Sequence, residues 1–285
     1  MLTRIIIGTV LIAATVGMFV VDQSYSFHGW YAAPCLLALS MILACVGSLE
    51  LIRMIPVTRK PFAFLTVIGS MTIIASHWLL NYREAVMYAF TFFSLGAFVV
   101  GLASFRTPGE TVHQIAFTIL ALVYLGLLPG YFVDLRLTER NPTLGTAYLA
   151  LAVFVPKGCD IGAYFTGKAI GRTPFAPVLS PKKTWEGIIG GLITAAIIAV
   201  CIHAYLTPVF PRGLHQAIAF GLVIGFLGIL GDLVESMIKR EAGAKDAGKV
   251  LPEFGGVLDI VDSILFAAPV VYWWLRASPW ALRPE

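Results

Sequence analysis

Charge is what this chain has least of. Asp, Glu, Lys and Arg together make up 13% of its 285 residues, where an ordinary soluble domain carries about 25%. Cysteine is also sparse. Cys35, Cys45, Cys159 and Cys201 show no C-x-x-C spacing and lie in or beside apolar runs. That excludes a disulfide-built secreted scaffold, and the four read as small buried hydrophobes with no chemistry assigned. Long polar connectors are missing from the first half: the breaks at Arg53–Lys60 and Asn81–Glu84 leave no room for a soluble domain. There is no internal repeat and no low-complexity segment. The net charge of +4 is small and its basic residues lie between apolar runs, so no nucleic-acid surface is expected. Disorder is excluded by the same apolar, weakly charged composition.

What the chain has instead is apolar length. Hydrophobic residues are 58% of it and its mean hydropathy is +0.85. This composition predicts an all-α polytopic membrane protein, because only helices or closed barrels satisfy their backbone in lipid. About nine transmembrane helices are expected, over Ile5–Val21, Trp30–Leu49, Phe62–Leu80, Ala85–Phe105, Gln114–Val133, Leu144–Pro156, Ile188–Leu206, Gln216–Leu230 and Ile260–Leu275. Two of these are short, so eight is the alternative. The first run follows Arg4 as a signal peptide would, but it is longer than a usual h-region and lacks an Ala-x-Ala site, so a retained helix is expected. With nine spans and a cytoplasmic N-terminus, fourteen Lys and Arg fall on the cytoplasmic side and six on the other, which favours that orientation. The aromatic residues near run ends fit an interfacial belt. His28, His77, His113, His203 and His215 are scattered without metal-ligand spacing and read as packed or interfacial residues.

Polar residues concentrate in the C-terminal half. The expected organisation is a single integral membrane domain over 1–285, with N-terminal spans over 1–156 and a second half over 157–285 that carries the candidate functional residues. Two stretches stand out, Lys157–Gly191 and Gly231–Ser263. The second holds seven of the sixteen acidic residues: Asp232, Glu235, Glu241, Asp246, Glu253, Asp259 and Asp262. Ionisable groups beside hydrocarbon are costly and mark functional sites by default; the plain alternative is a solvated loop. Asp259 and Asp262, three apart at the start of an apolar run, share a helix face, and Asp246 in the preceding loop can fold back to them. Carboxylates without nearby Cys or His suit a hard cation such as Mg²⁺. The alternative is stabilisation of a helix N-terminus by acidic side chains. Gly255-Gly256 allows close backbone approach, or is an ordinary turn. Asp232 and Ser236 face the same way, and Glu235 precedes Lys239 in the favourable order for a helical ion pair. Lys239, Arg240 and Lys245 suit phosphate charge or act as positive-inside anchors.

In the first stretch, Ser180-Pro181 reads as an N-cap and first helical residue. Lys182 and Lys183 would then sit in a first turn, where cations oppose the dipole unless an anion binds. Attraction to anionic lipid is the alternative. Gly162–Ala169 matches G-x-x-x-x-G-K but ends in Ala where a P-loop needs Ser or Thr, so a P-loop is rejected. Asp160 lines a cytoplasmic cavity or caps the next segment.

Three pieces together resemble the phosphatidate cytidylyltransferase, or CDP-diacylglycerol synthase, family. They are Asp160-Ile-Gly-Ala-Tyr164 with Gly167 and Ser180-Pro-Lys-Lys-Thr-Trp-Glu-Gly187; Gly231-Asp232-Leu-Val-Glu235-Ser236 with Lys239-Arg240 and Lys245-Asp246; and Gly255-Gly256-Val-Leu-Asp259 with Asp262-Ser263. The match covers roughly Asp160–Ser263. The resemblance implies transfer of a cytidylyl group from CTP to phosphatidic acid, giving CDP-diacylglycerol and pyrophosphate in phospholipid biosynthesis. It implies Mg²⁺, with a second cation left open, a cytoplasm-facing site in the bacterial cytoplasmic membrane, membrane lipid as the medium, and often a homodimer. It gives Asp246, Asp259 and Asp262 as catalytic and metal-binding carboxylates. Lys182, Lys183, Thr184, Ser236, Lys239, Arg240, Lys245 and Asp160 become substrate contacts. Two departures stand out: Phe254 replaces the family's usual His, and Ile260 its usual Arg. Glu253 also replaces a residue that is usually small. The alternatives are a related CTP-dependent lipid enzyme, such as a polyprenol or phytol kinase, and a cation-binding transporter.

Overall fold

A computed structural model describes residues 17–18, 21–22, 33–79, 83–106, 108–137, 142–244, 246–248 and 255–277. Its helices, in chain order, are α1 (Pro34–Met54), α2 (Ala63–Trp78), α3 (Arg83–Ser104), α4 (Thr111–Ala121), α5 (Leu128–Leu137), α6 (Pro142–Ile170), α7 (Trp185–Cys201), α8 (Leu214–Glu241) and α9 (Leu258–Ala277). A π-helical segment, Leu122–Leu127, joins α4 to α5 into one rod. Among the described residues, seven helices are long and apolar enough to cross a membrane, and Ala63–Trp78 is a shorter apolar helix. The protein is thus an all-α polytopic membrane protein, as its composition predicts. The expected run Ile5–Val21 lies largely outside the described residues.

Contacts divide the chain into two compact units. Unit 1 is Met1–Leu137 with Glu241–Ile260, and unit 2 is Thr138–Arg240 with Val261–Glu285. In unit 1, apolar clusters are built from residues on several helices: Ile73, Phe93 and Leu122 form one, and Ala44, Ile74 and Val133 another. Helix α3 turns Phe92, Leu95, Phe98, Val99 and Leu102 outward, as a lipid-facing helix does. His77 is packed, as expected, and its Nδ1 lies 2.8 Å from Asp134 Oδ2.

Two expected boundaries move. The span expected to stop at Pro156 continues unbroken to Ile170, with Pro156 inside α6. A proline removes only one N–H, and packed neighbouring helices tolerate it in membranes. At 29 residues, α6 is about 43 Å long, against roughly 30 Å of hydrocarbon. The polar residues from Lys157 onward are therefore the far end of a helix, not a loop. The same holds for α8, whose last turns carry Asp232–Glu241.

The second correction concerns Ser180-Pro181. These residues do not open a helix. Ser180–Thr184 is a strand, β2, paired antiparallel with β1 (Pro174–Ala176), and Pro174 stands opposite Thr184. The cap is Thr184: its backbone is extended and its side chain accepts the Gly187 N–H at 3.2 Å. Glu186 holds the hairpin, accepting the backbone N–H groups of Arg172 and Thr173 and the Thr173 hydroxyl. Both Ser180 and Thr184 are good caps by type; pairing with β1 decides between them. Cys201 is also a correction, since it is exposed, while Cys159 is buried.

Candidate functional site

The site in unit 2 depends on close helix approach. A Cβ at Gly231 of α8 would stand 2.5 Å from the Asp262 carbonyl oxygen of α9, and one at Gly228 would stand 2.8 Å from Pro156 Cβ of α6. Small residues at such crossings let backbones meet. They bring Asp232, Asp262 and Asp160 together from three helices. We expect Gly231→Val to separate α8 from α9 and to abolish activity, with an earlier thermal melt in detergent as the check. A wild-type melt and rate would contradict this packing role.

Asp232, Glu235 and Asp262 each place a carboxylate oxygen within 4.8 Å of the others. Each also meets a lysine. Lys183 Nζ is 2.7 Å from Asp232 Oδ2, Lys157 Nζ is 3.1 Å from Asp262 Oδ1, and Lys239 pairs with Glu235 one turn away. Lys157 also lies 3.3 Å from Asp160 Oδ2, which accepts the Ser263 hydroxyl at 2.7 Å. Asp262 and Ser263 are buried, as are Glu235 and Ser236. Ser236 Oγ stands 3.5 Å from Asp232 Oδ1, the i, i+4 relation the sequence predicts. Three carboxylates with only oxygen donors fit a hard divalent cation.

Beside this cluster is a cavity of about 220 Å³ lined by Asp160, Tyr164, Lys182, Lys183, Thr184 and Asp232, among others. It is smaller than the roughly 300–1,000 Å³ of a full ligand pocket, so it suits the charged part of a substrate. Lys182 is exposed at its rim and Lys183 half-buried toward Asp232, because successive strand residues face opposite ways. Asp160 lines the cavity. Arg240 is exposed at the end of α8.

The remaining expected site residues belong to unit 1. Asp246 is exposed in the loop after α8. Asp259 accepts the backbone N–H groups of Ala247 at 3.1 Å and Gly256 at 2.7 Å. Ile260 is half-buried in the first turn of α9. Lys245, Glu253 and Phe254 lie outside the described residues.

Of the clustered carboxylates, sequence reasoning assigned only Asp262 to the metal and gave Asp232 and Glu235 no such role; it missed two further residues altogether. Glu50 of α1 is 2% exposed, yet its carboxylate accepts the N–H groups of Val257 at 2.9 Å and Leu258 at 3.1 Å. It supplies from a distant helix the cap that the N-terminus of α9 needs. A Cβ at Gly248 or Gly256 would stand 2.6 or 2.7 Å from that carboxylate, so both glycines are needed beside it. The signal was present: Glu50 is the lone acidic residue in an apolar helix. Lys157 is the other, counted in the charge balance but given no part in the site.

Residues 2–278 match the model of the cytidylyltransferase family. A phosphatidate cytidylyltransferase of Synechocystis is 31% identical over 288 residues, covering 93% of this chain and 95% of that protein. The chloroplastic phosphatidate cytidylyltransferase 4 of Arabidopsis thaliana is 36% identical over 203 residues, which are 64% of this chain and 51% of the plant protein. That of Bacillus subtilis is 37% identical over 165 residues, 58% of this chain and 60% of its own length. The chain thus spans nearly all of the cyanobacterial relative but only about half of the plant one. The match with motif, membrane helices and clustered carboxylates is consistent: the chain belongs to the cytidylyltransferase family and is a polytopic membrane nucleotidyltransferase.

Proposed function

We propose that this enzyme transfers the cytidylyl group of CTP to phosphatidic acid, releasing pyrophosphate and forming CDP-diacylglycerol for phospholipid synthesis. The observation that carries this reading is the cavity in which Lys182, Lys183 and Thr184 face Asp160 and Asp232, next to the Asp232–Glu235–Asp262 cluster. The basic rim suits phosphates and the acidic base suits a cation. A lipid phosphate oxygen attacks the α-phosphorus of CTP and the bond to the β-phosphate oxygen breaks. The attacking group is already anionic, so no protein nucleophile is required. The work of the chain is positioning and charge neutralisation.

Lys182, Lys183 and the Thr184 turn hold phosphate oxygens, while Ser236, Lys239 and Arg240 extend the contact surface along the end of α8; the resemblance assigns Lys245 a substrate contact as well. Asp232, Glu235 and Asp262 would hold Mg²⁺, which when bound neutralises the triphosphate and the departing pyrophosphate. Asp246 and Asp259 are retained as the further metal-facing carboxylates that the resemblance assigns, with a second cation left open. Orientation of the site to the cytoplasm, residence in a bacterial inner membrane, action of 1–285 as one functional domain and pairing of two copies belong to the same proposal.

The test offers the purified protein CTP and Mg²⁺ with either phosphatidic acid or a polyprenol. Phosphatidic acid is expected to support turnover that EDTA abolishes, with no turnover on the alcohol. Turnover on the alcohol alone would replace this reading by a lipid kinase.

A further inference from the structure

Four carboxylates, Asp160, Asp232, Glu235 and Asp262, stand with three ammonium groups in unit 2. Lys183 serves Asp232 and Lys239 serves Glu235. Lys157 spans two carboxylates on two helices, 3.3 Å from Asp160 Oδ2 and 3.1 Å from Asp262 Oδ1. It is not among the residues that line the cavity, whereas its partner Asp160 is. Its place is fixed by its surroundings. Pro156 immediately before it meets Gly228 of α8 closely, and Ser263 beside Asp262 donates to the same Asp160 oxygen that Lys157 touches. The ammonium group therefore stands outside the cavity lining and touches it through Asp160.

We propose that Lys157 is a positioning residue. It ties Asp160 to Asp262 so that Asp262 faces Asp232 and Glu235, and it sets the divalent-cation affinity of that cluster. This rests on the cluster being the metal centre of the proposed reaction. The charge argument gives a sign that packing alone would not. A fixed positive charge beside a cation site weakens binding, so its removal strengthens binding even as the geometry for chemistry is lost. A merely structural ion pair would show the reverse, because a loosened site binds metal less well.

The experiment uses the full chain in detergent, with Mn²⁺ as probe and the free-ion electron paramagnetic resonance signal as readout. Turnover of CTP with phosphatidic acid is followed in parallel. For Lys157→Met we expect Mn²⁺ to bind at least about tenfold more tightly, with kcat down about 100-fold. Lys157→Arg keeps the charge, so Mn²⁺ affinity should stay within about twofold of wild type, with most of kcat restored. The double variant Lys157→Met/Asp160→Asn removes one charge of each sign and should return Mn²⁺ affinity toward wild type, which keeps the proposal testable if the single Met variant does not fold. Unchanged or weaker Mn²⁺ binding by Lys157→Met, or a double variant that binds no better than an unfolded control, overturns the role of Lys157. If wild type fails to turn over CTP while the Mn²⁺ shifts appear as stated, the proposed reaction falls and Lys157's role stands. A wild type that binds no Mn²⁺ overturns both.

Discussion

Asp262→Asn should lower turnover of CTP by about 10²–10³-fold, a loss of the size seen when one preorganised electrostatic group is removed. The substitution keeps the shape of a residue that is 6% exposed and removes its charge. Two consequences follow from the contacts. The trio of carboxylates within 4.8 Å loses one anionic member, and Lys157 keeps its contact with Asp160. Because Lys157 retains that partner, the fold should survive, and a melt in detergent close to wild type is part of the expected result. A Mg²⁺ titration of the variant checks the cause: saturation should require more metal than in wild type. Full activity in a folded Asp262→Asn variant would remove the cluster from the chemistry.

The second large effect is expected far along the chain from the motifs. Glu50→Ala takes a buried carboxylate from two backbone N–H groups at the start of α9. Hydrogen bonds to a charged acceptor contribute about 1.5–3 kcal/mol each, and loss of a helix cap costs about 0.5–2 kcal/mol. These overlap, so about 3 kcal/mol is a reasonable total. For a chain of this size that corresponds to a melting shift on the order of 6–12 °C. Glu50→Gln should cost part of this, since its amide oxygen accepts one N–H while its amide nitrogen faces the other donor. Activity should fall with stability, because the helix that Glu50 caps also carries Asp259 in its first turn. A melt within about 1 °C of wild type for Glu50→Ala, where a lost cap predicts several degrees, would contradict the capping role.

Why some of this was legible in the sequence is clear from particular residues. Apolar runs gave the helices because the bilayer imposes one length and one backbone solution. The pairing of Glu235 with Lys239 and the alignment of Asp232 with Ser236 were legible because i, i+4 geometry is local. The boundaries at Pro156 and Ser180 were not. Each depends on a neighbour distant in sequence: α7 and α8 packed on α6, and β1 paired with β2. Glu50 and Lys157 were missed for the same reason. Their partners lie 207 and 105 residues away, a distance no periodicity reports. The motif residues were recognised as a group, but only the folded chain sorts them. Asp262 joins Asp232, Glu235 and Lys157, whereas Asp259 holds the backbone of the Gly255-Gly256 turn through Gly256 N–H.

The most direct measurement follows two radiolabels of CTP into lipid. One sample carries phosphorus label at the α position and the other at the γ position, each with Mg²⁺ and phosphatidic acid in mixed micelles. Cytidylyl transfer predicts that the α label enters the lipid fraction while the γ label leaves as pyrophosphate, and that EDTA stops both. The γ label in lipid, with the α label left in free nucleotide, would contradict the account and identify a phosphoryl-transferring lipid kinase instead.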